Sequence, residues 1–327
     1  TGEMLDLNDR KAVIKHMTDV ITHRGPDSDG EYFGDGVTMG FRRLSIIDIA
    51  STGDQPIYNE DRTLVITFNG EIYNYQDLRR ELLSAGHTFT TQTDTETILH
   101  GFEEWGEHVL DHLRGMFAFA IWNTKTKRLF LARDFFGIKP LYYCTVNGQF
   151  VYGSEIKSLL EMPGFEKKLN LDALQSYLSF EYVVPPQTLF EGGGFLSSGV
   201  DSSWVASNLA GQKAFTVGFG EDERYNEIGY AKTLAEAVGI EHHTKVISPE
   251  EYWNAIPKVQ YHLDQPSADA SCIALYFVSK IASEYVKVVL SGEGADELFG
   301  GYNIYHEPAD LAAYQRLPLP LRKAAAS

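Results

Sequence analysis

One stretch of nine residues, 195–203, constrains the fold of this chain more than any other. It reads Phe-Leu-Ser-Ser-Gly-Val-Asp-Ser-Ser, a short apolar run, then small residues, then the polar start of a helix. The free backbone N–H groups at such a helix start attract an anion such as phosphate. Because a carboxylate repels phosphate, Asp201 is expected to act through a divalent cation held between them. An ordinary capped helix is the alternative interpretation.

A second segment, residues 289–302, repeats this pattern of strand, small-residue turn and acidic helix start. Strands and helices alternate from residue 195 onward, which predicts a parallel sheet whose ligands bind beyond the carboxyl ends of its strands. The two turns should therefore face one crevice and bring Asp201 and Asp296 together around a metal-bound pyrophosphate. The predicted elements here are strands 195–196, 214–219, 244–247 and 286–290 and helices 202–209, 227–238 and 274–283.

The first half of the chain has a different pattern, with many short strands and few helices. Such a mixture indicates an α+β layered domain. Helices are predicted at 7–21 and at 75–85, where Gly86 is the expected C-cap. The dipeptide Asn147-Gly148 predicts a hairpin turn. The predicted strands are 37–41, 64–68, 117–122, 129–132, 141–144 and 150–153.

Length and charge limit the classes of function. A chain of 327 residues exceeds what one hydrophobic core usually holds, and we predict domains at 1–165 and 195–327 with a linker at 166–194. The formal net charge of −17 disfavours nucleic acid and anionic lipid as partners. Two distant cysteines form no disulfide framework, and no apolar run approaches the ~20 residues of a membrane helix. A cytoplasmic location is therefore expected.

The two turn motifs of the second half resemble those of the ATP-pyrophosphatase ligases, and residues 290–297 resemble the second signature of the asparagine synthetase branch. By this resemblance ATP and Mg²⁺ are the cofactors. Asp201 and Asp296 would hold Mg²⁺, and Glu293 would assist formation of a β-aspartyl adenylate. The implied ATP-binding residues are Leu196, Ser197, Gly199, Asp201, Ser202, Ser203, Val217, Ser291 and Gly292.

The first half resembles the N-terminal-nucleophile glutaminases of the same enzymes, which have a four-layer αββα sandwich. No single motif is decisive, but six motifs in the family order cover the whole domain. They lie at residues 23–27, 42–48, 68–74, 93–96, 114–119 and 133–142.

The chemistry of glutamine accounts for several residues in these motifs. Its α-carboxylate requires a cation and its α-ammonium an anion, roles that fit Arg43 and Asp94, with Glu71 helping to hold the ammonium. Attack on the side-chain amide develops an oxyanion, which the Asn69 side chain and the Gly70 N–H would stabilise. Taken singly, a surface arginine, a tight turn or a helix cap would explain each residue. The resemblance adds Leu44, Ile46 and Ile47 to the glutamine site.

The sequence departs from the family pattern at several points. The family's N-terminal cysteine nucleophile is absent, since the chain begins with Thr1. Ser198 and Phe135 stand where the family usually has Gly and Pro. Gly193-Gly194 directly joins segments that several dozen residues separate in the family, and a C-terminal helical segment is absent. We expect that the printed sequence omits segments of a longer protein.

The resemblance implies a glutamine-hydrolysing enzyme that adenylates aspartate with ATP and amidates it to asparagine, releasing AMP and pyrophosphate. Glutamine, aspartate and ATP are then the small-molecule partners. Two alternatives stay open: the same machinery acting on another carboxylate, and an inactive sensor of glutamine or nucleotide. The sequence leaves the oligomeric state open, a homodimer being one expectation.

Overall fold

The computed structural model describes residues 5–45, 53–180, 183, 186–195, 213–220, 228–267, 269 and 271–289. The chain divides into two compact units, residues 1–199 with 248–277, and residues 200–247 with 278–327. Within the described ranges, no helix is both long enough and apolar enough to cross a membrane.

The elements are numbered in chain order. The helices are α1 (Leu7–Asp19), α2 (Tyr75–Ala85), α3 (Asp94–Trp105), α4 (Val109–His112), α5 (Ile156–Leu159), α6 (Leu171–Phe180), α7 (Ile228–Val238), α8 (Pro249–Leu263) and α9 (Ser271–Ala282). The strands are β1 (Ser28–Gly34), β2 (Val37–Arg43), β3 (Ile57–Tyr58), β4 (Leu64–Ile72), β5 (Gly115–Asn123), β6 (Arg128–Arg133), β7 (Tyr142–Val146), β8 (Gln149–Gly153), β9 (Gly193–Phe195), β10 (Lys213–Phe219) and β11 (Glu241–Ile247).

The first unit is built on an antiparallel sheet in the order β3-β4-β5-β6. Its long central strands, β4 and β5, are rich in the β-branched and aromatic residues that favour strands. Alternate side chains of both strands point to one face, where Ile66 and Phe119 pack against Ile98 and Leu99 of α3 and Leu78 of α2. Helices α2 and α3 thus cover this face.

The opposite face of the sheet packs on a second layer of strands. Val65 and Trp122 form a buried cluster with Met39 of β2. The second layer consists of the β1-β2 hairpin and the sheet β8-β7-β9. Helix α1 lies beyond it, because Met17 shares a core cluster with Val151 of β8. Helix, sheet, sheet and helix follow one another, so the predicted αββα arrangement is observed.

Helix ends in this unit follow local capping chemistry. The Thr93 side chain accepts a hydrogen bond from the N–H of Glu96 and so begins α3. Helix α2 has the predicted bounds, and Gly86 ends it with a φ of 106°, a left-handed conformation that glycine adopts without steric cost.

The second unit contains a parallel pair, β10 and β11, joined by α7. The register places Val217 opposite Lys245. Ala235 of α7 and Ile247 of β11 are buried. This β-α-β unit agrees with the predicted parallel sheet.

One predicted strand of the second half is wrong, and another is observed in a different sheet from the one expected. Residues 286–289 form no strand, although their apolar side chains favour one. The strand predicted at 195–196 should lead the parallel sheet, but residues 193–195 instead pair antiparallel with β7 of the first unit. A short apolar run does not specify its pairing partner, which long-range contacts decide.

Several elements were not predicted, among them β1, α3 and α8. Strand β1 contains Gly and acidic residues, which lower strand propensity, and it is stabilised by pairing with β2. Helix α3 begins with Thr and Asp, which are poor helix formers. Helix α8 has clear signals, since Ser248 and Glu251 form a capping box and Pro249 is its first residue.

Candidate functional site

Arg43 ends β2 with its side chain buried. Its Nη1 donates to Oδ1 of Asp54 at 2.7 Å, and the Ser28 hydroxyl donates to the same oxygen at 2.8 Å. Burial raises the pKa of the Asp54 carboxyl, but these two hydrogen bonds outweigh it and the net pKa is lowered. A Cβ on Gly53 would lie 2.5 Å from Arg43 Nη2 and 3.0 Å from Thr93 Cγ2, so Gly53 lets the guanidinium approach the start of α3.

Asp94 is the first residue of α3 and is 5% exposed. Its Oδ2 accepts a hydrogen bond of 2.9 Å from the N–H of Ile72, at the end of β4. Burial raises the pKa of Asp94 to about 6, although backbone hydrogen bonds from Ile72, Thr95 and its own N–H favour the ionised form. The carboxyl is thus poised to ionise close to neutral pH.

Asn69 and Gly70 lie on β4 opposite Ala118 and Phe117 of β5. Nδ2 of Asn69 is buried and makes no hydrogen bond to any described residue. A buried amide donor without a partner is costly and requires an explanation. A ligand oxygen placed beside Asn69 would satisfy it.

The Gly70 N–H points away from β5. Both backbone groups of Phe117, the residue opposite, bond Asp134 instead: its N–H donates to Asp134 Oδ2 at 3.2 Å and its carbonyl accepts from Asp134 N at 2.7 Å. In an antiparallel ladder Gly70 and Phe117 are then a non-hydrogen-bonded pair. The Gly70 N–H therefore faces the same edge of β4 as the N–H of Ile72, which bonds Asp94.

Space at Gly70 is also restricted. A Cβ there would lie 2.1 Å from the carbonyl oxygen of Met116 and 2.8 Å from Cα of Phe117. Only glycine fits this approach of β4 to β5.

Gln55 is a residue of this region that sequence reasoning missed. Its buried side-chain amide bonds both backbone groups of Phe68, accepting from the N–H at 2.6 Å and donating to the carbonyl at 3.1 Å. It thus supplies hydrogen-bond partners to the backbone at the edge of β4 just before Asn69. Nothing in the sequence around Gln55 indicated this role, because the contact depends on the folded loop.

Glu71 is half-buried and has a strongly perturbed carboxyl. Burial raises its pKa to about 7, the nearby Asp94 carboxylate adds to the rise, and the Lys139 ammonium opposes it. The pKa of Lys139 is lowered by burial and by Arg24, while Glu71 and Asp134 oppose that shift. Glu71, Asp94 and Lys139 therefore form one electrostatically linked group. Lys139 belongs to the motif at 133–142, but nothing in that motif indicates its partner.

Asp134 shapes the loop that carries Lys139. It is 5% exposed, and its carboxylate accepts hydrogen bonds from the N–H groups of Ile138 at 2.9 Å and Lys139 at 3.0 Å. Phe135, which departs from the family pattern, is 82% exposed on this loop. The aspartate of the Arg133-Asp134 motif therefore holds the loop that carries Lys139.

His23 and Arg24 lie beside a buried charge network that the sequence did not indicate. The Glu155 carboxylate accepts from His23 at 2.8 Å and Arg24 at 3.2 Å, and it also pairs with Lys157. Lys157 in turn bonds Asp264, just after α8, at 2.7 Å. These ion pairs tie the first of the glutaminase motifs to α8.

The remaining predicted residues are placed as follows. Leu44 follows Arg43 and is 38% exposed. Val217 lies in β10, partly buried. Cys144 is buried, as expected for a core residue, and burial raises its pKa to about 11. The predicted site residues outside the described ranges are Ile46, Ile47, Leu196, Ser197, Gly199, Asp201, Ser202, Ser203, Ser291, Gly292, Glu293 and Asp296.

Comparison with known proteins gives two family matches. Residues 1–215 match the glutamine amidotransferase domain family, and residues 189–326 match the asparagine synthase family. These matches agree with the two fold classes predicted for the halves of the chain and with the observed layers and β-α-β unit.

Curated relatives support the resemblance seen in the motifs. Asparagine synthetase [glutamine-hydrolyzing] 1 of Bacillus subtilis strain 168 is 43% identical over 379 residues, covering 96% of this chain and 60% of the relative. A putative asparagine synthetase [glutamine-hydrolyzing] of Mycobacterium tuberculosis H37Rv is 39% identical, covering 96% and 60%. Asparagine synthetase [glutamine-hydrolyzing] 1 of Arabidopsis thaliana is 34% identical, covering 92% and 59%. The chain therefore spans about 60% of the length of these relatives.

Among solved structures, the allosteric regulatory enzyme of purine biosynthesis aligns with 71% of this chain and 62% of its own chain. The identity is 17% and the TM-score is 0.41, a likeness too low to establish a shared fold by itself.

Proposed function

Since this chain belongs to the glutamine amidotransferase domain family, we propose that its first half hydrolyses glutamine and that the whole protein uses the ammonia to convert aspartate to asparagine. The observation that carries the glutaminase half of this proposal is the edge of β4. There the Asn69 amide, which has no hydrogen-bond partner among the described residues, and the outward N–H of Gly70 lie beside the acidic groups of Glu71 and Asp94.

Each group on this edge has a role that its chemistry supports. The Arg43 guanidinium would bind the α-carboxylate of glutamine, and ionised Asp94 and Glu71 would bind the α-ammonium. The side-chain amide would then lie toward Asn69. When a nucleophile attacks the amide carbon, negative charge develops on the amide oxygen, and Asn69 Nδ2 and the Gly70 N–H would stabilise it. Lys139 would lower the energetic cost of holding two carboxylates close together.

The ligase half of the proposal depends on the motifs and on the asparagine synthase match of residues 189–326. ATP would bind between the turns at 196–203 and 291–292, with Val217 beside the adenosine. Mg²⁺ accepts oxygen ligands, so Asp201 and Asp296 would hold it and neutralise the pyrophosphate charge. Glu293 would assist the attack of the aspartate carboxylate on ATP.

Finer features of the protein are also proposals. We place the domains at 1–165 and 195–327 with a linker at 166–194. We propose a cytoplasmic enzyme, in keeping with two cysteines that are not bonded to each other, and a homodimer as its assembly.

Pyrophosphate release by the full-length protein tests the proposed function. The protein is incubated with Mg-ATP and glutamine, with and without aspartate, and pyrophosphate, asparagine and glutamate are measured. We expect pyrophosphate release that requires aspartate and matches asparagine formed. If pyrophosphate release requires a different carboxylate, that carboxylate replaces aspartate as the proposed acceptor. Absence of both glutamine hydrolysis and pyrophosphate release would contradict the enzyme and favour a sensor.

A further inference from the structure

A cluster of histidines and glutamates lies on the first unit away from the glutamine site. Glu60, His87 and His100 each offer a ligand atom, and these atoms all lie within 4.8 Å of one another. Glu60 lies in the loop after β3, His87 follows the C-cap of α2, and His100 lies in the middle of α3. None of these residues has a role in the proposed reaction.

The two imidazoles each direct one ring nitrogen to the same carboxylate. Nδ1 of His100 and Nδ1 of His87 lie 3.3 Å and 3.8 Å from the same atom, Oε2 of Glu103. The Nε2 atoms face other carboxylates: His100 Nε2 lies 3.7 Å from Glu96, and His87 Nε2 lies 3.1 Å from Glu104. Each ring thus presents one nitrogen to a shared centre and the other to a separate carboxylate.

His87 has the arrangement that metal-binding histidines adopt, and His100 approaches it. A ligating imidazole usually directs its second ring nitrogen to a carboxylate or carbonyl, which fixes the ring and its tautomer. His100 is only 1% exposed, and its Nε2 makes no hydrogen bond to the described residues. A neutral imidazole that used Nδ1 for a metal would carry its proton on Nε2, toward Glu96.

We propose that His87 Nδ1, His100 Nδ1, Glu60 and Glu103 form a binding site for a divalent first-row transition metal, with Zn²⁺ as its preferred ion. Mixed imidazole and carboxylate donors suit Zn²⁺ and Co²⁺, whereas Mg²⁺ and Ca²⁺ require oxygen ligands alone. Two nitrogens and two oxygens would give a four-coordinate site.

The ligands can close on an ion with small movements. Tetrahedral Zn²⁺ with bonds of roughly 2.0–2.2 Å holds its donors about 3.3–3.6 Å apart, so the ligand atoms of Glu60, His87 and His100, which lie within 4.8 Å of one another, must approach by about 1 Å at most. Glu103 Oε2 already lies 3.3 Å and 3.8 Å from the two Nδ1 atoms. The side chains of Glu60 and Glu103 are 42% and 33% exposed and can move, while His100 is fixed in the core. Glu60 is also oriented toward the centre by a 3.1 Å bond from the Thr88 hydroxyl.

The charge of the cluster favours a cation. Four carboxylates, Glu60, Glu96, Glu103 and Glu104, surround the two imidazoles. The Glu96 carboxylate is held in place by N–H and hydroxyl donors of Thr90 and Thr91 at 2.7–2.9 Å. A divalent ion would offset part of this negative charge and would cross-link the β3–β4 loop, the α2–α3 connection and α3.

Metal titration of the full chain tests the proposal. The protein is stripped with EDTA, and Zn²⁺ binding is measured by calorimetry at pH 7.5, with the thermal unfolding midpoint recorded in parallel. We expect one Zn²⁺ per chain with a Kd of about 1 μM or tighter and a rise in the midpoint. Co²⁺ should give the intense visible absorption of a four-coordinate site. Mg²⁺ at equal concentration should neither raise the unfolding midpoint nor give this absorption.

Matched variants assign the ion to this cluster. Glu60→Gln and His87→Ala change side chains near the surface, and each should weaken Zn²⁺ binding at least tenfold and abolish the Co²⁺ spectrum. His108→Ala is the control, because His108 is 85% exposed and pairs with Asp111 elsewhere. The proposal is overturned if Zn²⁺ fails to bind at 100 μM, which leaves a cluster joined by its own hydrogen bonds alone, or if both variants bind as the parent does. Circular dichroism verifies that each variant is folded.

Discussion

Lys157 and Asp264 form an ion pair of 2.7 Å although 107 residues separate them in the chain, and both side chains are less than a tenth exposed. Lys157 also pairs with Glu155, which receives hydrogen bonds from His23 and Arg24. The residue pair therefore connects the start of the glutaminase region to the end of α8. Since α8 was not predicted, this connection is a finding of the tertiary structure.

Removing the charge of Asp264 should destabilise the first unit. Asp264→Asn keeps the side-chain shape and suits the left-handed φ of 62° at this position. It leaves Lys157 with Glu155 as its remaining carboxylate, so we expect a loss of about 1–3 kcal/mol in the free energy of unfolding, less than for a buried charge left alone. Urea denaturation measures it.

Asp77→Asn serves as the control for this variant. Asp77 is 71% exposed and pairs with Arg80 on the surface of α2. Its loss should cost less than about 0.5 kcal/mol, as for other exposed ion pairs. Equal effects of the two variants would contradict the structural importance of the buried pair.

Glutamine binding should strengthen as pH rises from 5.5 to 8. The raised pKa values of Asp94, about 6, and Glu71, about 7, mean that both carboxyls are largely protonated at pH 5.5 and largely ionised at pH 8. The ammonium of glutamine pairs only with the ionised forms, so its Kd should fall at least about tenfold. Calorimetry across this range measures the change, and a constant Kd would refute the assignment of these carboxylates.

Arg43→Lys should weaken glutamine binding by about 10- to 100-fold, because lysine cannot make the paired hydrogen bonds of a guanidinium to a carboxylate. The adjacent Arg42→Lys provides the control. Arg42 bonds Asp19 and lies 3.6 Å from Asp29. The prediction fails if Arg42→Lys reduces glutamine affinity as much as Arg43→Lys does.

Asn69→Ala should reduce the kcat of glutamine hydrolysis by the full-length protein about 10²- to 10³-fold, the usual effect of removing one oxyanion donor. Glutamine affinity should change little, because the donor acts mainly in the transition state. Asn69→Asp keeps the size of the side chain but replaces the donor with an acceptor, so it should be equally impaired. Steady-state kinetics measure these changes. A kcat close to that of the parent in either variant would exclude Asn69 as an oxyanion donor.

Gly70→Ala should destabilise the protein by about 2–3 kcal/mol through overpacking, since its Cβ would meet the Met116 carbonyl at 2.1 Å. Gly229→Ala is the matched control. No atom of the described part of the chain lies within 4 Å of the Cβ that this change adds in α7, and alanine should stabilise the helix by about 0.5–1 kcal/mol. We expect the two variants to shift the thermal unfolding midpoint in opposite directions. A Gly70→Ala variant as stable as the parent would show that β4 can shift.

Local sequence determined much of this protein. The bounds of α2, its glycine cap and the strands β4 and β5 follow from periodicity and turn chemistry, which act between near neighbours. The order of short motifs was enough to indicate the glutaminase and ligase families. Helix α3 is not predicted by local sequence because its first turn is rich in threonine. Burial of Ile98 and Leu99 in the core stabilises it instead.

The tertiary structure decided how those residues act. Phe117 bonds Asp134, so the Gly70 N–H faces the same edge of β4 as the Ile72 N–H, which bonds Asp94. Burial beside Asp94 raises the pKa of Glu71, and the shared approach of His87 and His100 to Glu103 creates a candidate metal site. Each of these depends on distances between residues far apart in the chain, and on the low dielectric of the interior, neither of which a local pattern contains.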